Sequence, residues 1–213
     1  MFKNIFFDFD GTLCDTSEGI IDTTLYLLVK HNQPTPGRDE IKHSIGMPLY
    51  DLLRKLFTGD DNTIRALMPE WRELYSRRGI LNSRLYSGVK GMLIDLKENR
   101  RNLIIISKKP EPFVKMLLAK FGIERLFDDL YAISLSQTEF DKVSAINDWI
   151  EKKNADRNAS VMVGDRKEDI DAGKASGIST IGVAFGYGTE EELHLADEVA
   201  CDTARLRELL LAA

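Results

Sequence analysis

The chain has 213 residues, 43% of them hydrophobic and 30% charged, with a formal net charge of -5. This is globular composition, long enough to bury a sizeable core as one domain of moderate size or one domain with an insert. A net negative chain argues against nucleic acid as a partner, and the lack of a long apolar run argues against a membrane. Cys14 and Cys201, at opposite ends of the chain, make neither a disulfide framework nor a metal pattern, so the expected compartment is the reducing cytoplasm.

The first predicted strand, Asn4 to Phe7, runs directly into Asp8-Phe9-Asp10-Gly11-Thr12-Leu13. Strand alternation puts Asp8 and Asp10 on one side of the backbone where the strand ends. Two carboxylates that close both stay ionised only beside a cation. Magnesium suits the need, because it takes carboxylate and phosphate oxygens together. From about Thr16 to about Arg84 the pattern is helical: Ile20-Thr24-Leu27, Leu49-Leu52-Leu53-Leu56 and Ile64-Leu67-Met68-Trp71-Leu74-Tyr75. Turn signals at Pro34-Thr35-Pro36-Gly37, Gly46-Met47-Pro48 and Thr58-Gly59-Asp60-Asp61 divide it. An insert placed directly after the first strand is a candidate lid.

Beyond the insert, short β-rich runs alternate with helical patterns. The strands are expected at Leu103 to Ile106, Leu130 to Ser134, Val161 to Val163 and Thr180 to Val183. Helix faces are marked by Val89-Met92-Leu93-Leu96, Phe113-Val114-Leu117-Leu118-Phe121 and Val143-Ile146-Trp149-Ile150. The alternation predicts an α/β fold, a parallel sheet covered on both faces, with its ligand crevice beyond the carboxyl ends of the strands. Chemistry-bearing residues punctuate those ends. Ser107-Lys108-Lys109-Pro110 closes the second strand, with a hydroxyl and free N–H groups that could cradle phosphate. Lys142 opens the helix after the third and brings a fixed positive charge. Gly164-Asp165-Arg166-Lys167-Glu168-Asp169 follows the fourth, adding Asp165 at the strand tip and Asp169 in the next helix's first turn.

In order and spacing, Asp8 to Leu13, Ser107, Lys142 and Gly164 to Asp169 resemble the four motifs of the haloacid dehalogenase-like hydrolase superfamily. The resemblance covers nearly the whole chain and extends to Tyr86-Ser87-Gly88-Val89 and Gly186-Tyr187-Gly188. It is closest to the phosphoglycolate phosphatase-like branch, which carries a small helical cap between the first two motifs. The resemblance implies a Rossmann-like core of residues 1–15 and 85–213, with a cap of residues 16–84. It implies an Mg²⁺-dependent phosphatase that acts on a small phosphomonoester (phosphoglycolate-like, nucleotide or sugar phosphate) through an aspartyl-phosphate. Asp8 is then the nucleophile. Asp10 protonates the leaving oxygen, activates the water and lends its backbone carbonyl to the metal. Asp165 is a metal ligand, and Asp169 a direct or water-mediated one. Asp10, Gly11, Ser107, Lys108 and Lys142 surround the phosphate, and the cap loop Ile45-Gly46-Met47 selects the substrate. The partner expected is a small phosphorylated metabolite, and the protein a monomer or homodimer. One departure stands out: the branch often has Thr-Asn-Lys-Pro where this chain has Ser107-Lys108-Lys109-Pro110, which adds a cation.

Asp10 speaks against a dehalogenase, which lacks the second acid of the opening pair. A sugar phosphomutase of this fold carries a histidine where Ile20 stands. A non-catalytic phospho-acceptor domain has neither the helical insert nor an equivalent of Asp10.

Overall fold

The computed structural model describes residues 1–137 and 139–212. From β1 (Asn4–Phe7) the chain passes through the two-residue β2 (Cys14–Asp15) into four helices: α1 (Ser17–Lys30), α2 (Arg38–His43), α3 (Leu49–Leu56) and α4 (Asp61–Arg77). It returns through β3 (Arg84–Leu85), which pairs antiparallel with β2, so outgoing and returning chain run side by side. Strands and helices then alternate: α5 (Val89–Glu98), β4 (Asn102–Pro110), α6 (Glu111–Phe121), β5 (Asp129–Ile133), α7 (Lys142–Lys153), β6 (Ser160–Gly164) and α8 (Lys167–Ala175). β7 (Ser179–Val183), α9 (Glu190–Leu193), β8 (Glu198–Ala200) and α10 (Thr203–Leu211) complete the chain.

The main sheet has the order β5-β4-β1-β6-β7-β8, and every pair in it is parallel. β1 is central and wholly buried, which is why its four residues, NIFF, include no charge. Alternation along it serves two cores. Ile5 and Phe7 join one layer with α5, α6 and α10, while Phe6 meets Trp149 of α7 edge-on in the other, at 5.2 Å between ring centroids. After β1 the chain builds β4 on one side, then later β6 on the other. The connections therefore diverge beyond Phe7, Ile106 and Gly164, and that is where an open parallel sheet leaves a crevice.

All five expected strands are present. β8 lies outside the expected set because three residues, two of them exposed, make no apolar run. The six-residue α2, with Ile41 its one buried residue, is too short to show periodicity. Among the described residues no helix is long and apolar enough to cross a membrane.

Candidate active site

The ladder of β1 continues one residue past Phe7, with the Asp8 N–H donating to the Val163 carbonyl at 2.9 Å. Asp8 thereby shares the face of Phe6, the face that α7 covers. Lys142 is the first residue of α7, placed by Asp141, whose carboxylate accepts from the N–H groups of Val143 and Ser144. Its Nζ donates to Asp8 Oδ1 at 2.7 Å and to Asp169 Oδ1 at 2.6 Å. The other Asp169 oxygen accepts the Arg166 N–H at 3.1 Å, at the start of α8. One carboxylate thus finishes a helix end and holds the lysine that touches Asp8.

Asp165 lies straight beyond β6 and is fully buried. The Thr12 hydroxyl donates to it at 3.2 Å and the Tyr187 N–H at 2.8 Å. Gly11 takes φ +85°, and a Cβ there would overlap the Asp165 carboxylate; a Cβ at Gly164 would overlap Asp169. The glycines of these motifs therefore let backbone approach the acids closely. The Gly186-Tyr187-Gly188 segment closes the same corner, with the Tyr187 hydroxyl accepting from the Thr16 N–H at 2.7 Å and donating to Asp15 Oδ1 at 3.1 Å.

Carboxylate oxygens of Asp8, Asp165 and Asp169 lie within 4.8 Å of one another. Burial pushes the Asp8 carboxyl well above the usual carboxylate range against the pull of Lys142, and the Asp169 and Asp165 charges add to the rise. Burial and Asp169 push Asp165 up to about 7. Burial alone would lower the pKa of Lys142, but Asp169 and Asp8 outweigh it and raise it. Three buried carboxylates facing one lysine leave a deficit of positive charge, and the donor set is hard oxygen throughout. Those residues fit Mg²⁺.

Asp10 belongs to a different arrangement. Its carboxylate turns from the other three acids and takes Lys109 Nζ at 3.1 Å on both oxygens, with the Thr16 hydroxyl at 2.8 Å on one. Lys109 also donates to the Tyr75 hydroxyl on α4 at 2.9 Å. The lysine is buried; burial would lower its pKa, but Asp10 and Tyr75 overcome that and raise it. Ser107 is buried and faces the same pocket, its hydroxyl accepting from the Lys109 N–H at 3.2 Å. Lys108, the cation expected beside the phosphate, borders the pocket but pairs with Glu168 at 2.6 Å. The sequence singled out Lys108 and passed over Lys109, the one that engages Asp10.

Helices α1, α3 and α4 and the turn that precedes α3 roof this pocket. Ile45, Gly46 and Met47 all line it, Ile45 buried and Met47 46% exposed, around a backbone turn in which Gly46 takes φ +103°. Ile20, Met68, Trp71, Arg72 and Tyr75 line the remainder of the roof.

Residues 5–183 match the family model described as haloacid dehalogenase-like hydrolase. The chain is 28% identical to a 5'-nucleotidase of Pseudomonas aeruginosa, across 98% of this chain and 96% of that protein. It is 28% identical to a phosphoglycolate phosphatase of Vibrio cholerae, across 98% and 97%. The solved structure of the Mycobacterium tuberculosis protein tyrosine kinase A superposes with a TM-score of 0.83 at 29% identity, covering 99% of this chain and 98% of that one. The chain belongs to the haloacid dehalogenase-like hydrolase family, in its phosphoglycolate phosphatase-like branch.

Proposed function

We propose that this phosphatase hydrolyses a small phosphomonoester by way of an aspartyl-phosphate on Asp8. The observation that carries the reading is the pair of differently supported acids two residues apart: Asp8 beside Lys142, and Asp10 held by Lys109 and Thr16. Separate surroundings suit separate tasks. An Asp8 oxygen attacks phosphorus as the ester P–O bond breaks, and Asp10 gives its proton to the departing alkoxide. Water then attacks the phosphorus of the aspartyl-phosphate while Asp10 takes its proton, which releases inorganic phosphate, frees the Asp8 carboxylate and returns Asp10 to its protonated form. Ser107 and Lys142 border the transferring group and offer it a hydroxyl donor and a charge. Asp8, Asp165, Asp169 and the Asp10 carbonyl would hold Mg²⁺, which when bound supplies charge neutralisation for the acids and the phosphate. Turnover of p-nitrophenyl phosphate by the purified protein tests the reading; no phosphate release from it or from any phosphorylated metabolite would end it.

Lys109 acts here as a positioning residue for Asp10. Lys109→Met should lower kcat/KM on an alkyl phosphate by about 10- to 100-fold, at or below the lower end of what general acid–base catalysis supplies. kcat/KM reports the transfer to Asp8, and p-nitrophenolate leaves readily without a proton, so kcat/KM on its ester should fall much less. Steady-state kinetics on both esters checks this; equal losses of kcat/KM on the two would remove Asp10 positioning as the role of Lys109.

Residues 16–84 act in this reading as the cap that chooses the leaving group, because the acids below it address only phosphate and metal. Met47 is half exposed at the pocket edge, so a lysine can replace it without burying a charge. Met47→Lys should change the ratio of kcat/KM between small substrates by about tenfold, a usual size for one altered pocket contact. An unchanged profile across a panel of phosphate esters would argue that this loop does not select. The natural substrate is then a small phosphorylated metabolite, met in the cytoplasm by a chain with two free cysteines.

A further inference from the structure

The cations around the pocket are nearly all committed. Lys142 pairs with Asp8 and Asp169, Lys109 with Asp10, Lys108 with Glu168 and Arg166 with Glu192. Arg72 is the exception. It lines the pocket from α4, yet among the described residues no carboxylate pairs with it, and its Nε is buried without a hydrogen-bond partner. Burial lowers its pKa with no neighbouring charge to offset that. A guanidinium keeps its charge even so, and leaving a buried donor unmet is costly.

Its place on the helix gives the orphan donor a direction. Arg72 is one turn from Met68 and one turn from Tyr75, which line the same pocket. Tyr75 reaches Lys109 and, through it, Asp10, the acid that serves the leaving oxygen. Arg72 therefore lies on the roof of the pocket, one helical turn from the residue that reaches the Asp10 side of the site. The wall around it is apolar, built from side chains such as Met68, Trp71 and Phe113. In such surroundings a planar fork of donors matches a carboxylate or a phosphate, bidentately.

Resting on the phosphatase reading, we propose that Arg72 binds a second anionic group on the alcohol part of the substrate. The preferred substrates are then small phosphomonoesters whose leaving group itself carries a carboxylate or a phosphate. A nucleoside monophosphate, with a neutral leaving group, leaves Arg72 unpaired and is a poorer substrate.

Three esters on one two-carbon skeleton test this: phosphoglycolate, the bisphosphate of ethylene glycol, and 2-hydroxyethyl phosphate. With Mg²⁺ present, wild-type kcat/KM should favour at least one anionic ester over the hydroxyethyl ester by about 30-fold or more, as for a desolvated charge pair. The first two esters show which anion is preferred. Arg72→Gln should erase the preference while leaving the hydroxyethyl ester and p-nitrophenyl phosphate within about threefold of wild type; Arg72→Lys, a charge without the fork, should restore part of it. Equal rates on all three esters by an enzyme that cleaves p-nitrophenyl phosphate would overturn the proposal and leave the phosphatase reading standing. So would an Arg72→Gln variant that keeps the preference. If wild type cleaves nothing, the phosphatase reading falls. Calorimetric binding of the same esters to wild type and Arg72→Gln then decides the Arg72 assignment, which fails if the two bind alike.

Discussion

Asp8→Asn should reduce turnover by several powers of ten, each power being about 1.4 kcal/mol of barrier. The amide occupies nearly the same volume, so the ladder bond from the Asp8 N–H to Val163 and the packing around it should survive. What is lost is the attacking oxygen. The variant also takes one negative charge out of a cluster in which burial and two neighbouring carboxylates already oppose ionisation. Its melting temperature without divalent cations should therefore equal or exceed that of wild type. Kinetics and a thermal melt on the same preparation check both statements. A folded Asp8→Asn protein that turns over at near wild-type rate would remove Asp8 from the mechanism.

Removing divalent cations should abolish activity, and calcium should fail to restore it. Asp8, Asp165 and Asp169 are too crowded for one lysine to balance. Calcium accepts more oxygens than magnesium and can take both from one carboxylate, so it would occupy the Asp8 oxygen needed for attack. The same cluster gives a readout that does not depend on turnover. Mg²⁺ at 100 times its dissociation constant should stabilise the protein by about 2.7 kcal/mol. Asp165→Asn should lose most of that stabilisation along with activity. Full activity in excess chelator, or an unchanged magnesium-induced shift in the Asp165→Asn melt, would show that these acids serve another purpose.

The core of the fold was legible because its strands are buried on both faces and carry unbroken apolar runs such as Ile5-Phe6-Phe7 and Val161-Met162-Val163. The acids were legible because they stand at the ends of those runs. Lys109 was not. In the sequence it is the second of two adjacent lysines that both border the pocket, and only strand direction decides which one reaches Asp10. β4 also shifts register between Ser107 and Pro110, so alternation cannot be counted through that stretch. Arg72 was hidden differently. A single arginine beside Trp71 on an otherwise apolar helix face looks like a solvated edge, and only the three-dimensional pairing of its neighbours leaves it alone. Tyr187 stood out between two glycines, but its hydroxyl partners, Thr16 and Asp15, lie 171 and 172 residues away.

The phosphoryl-enzyme itself is the most direct test of the account. Enzyme in excess over a ³²P-labelled phosphomonoester, mixed with Mg²⁺ and quenched in acid within milliseconds, should carry label on the peptide containing Asp8. The label should rise and fall ahead of free phosphate, and should be absent from Asp8→Asn. Slowing hydrolysis with Asp10→Asn should make it persist. Full conversion to inorganic phosphate with no label on that peptide at any time, in wild type and in Asp10→Asn, would mean that water attacks the substrate directly and would contradict the assignment of Asp8 as the nucleophile.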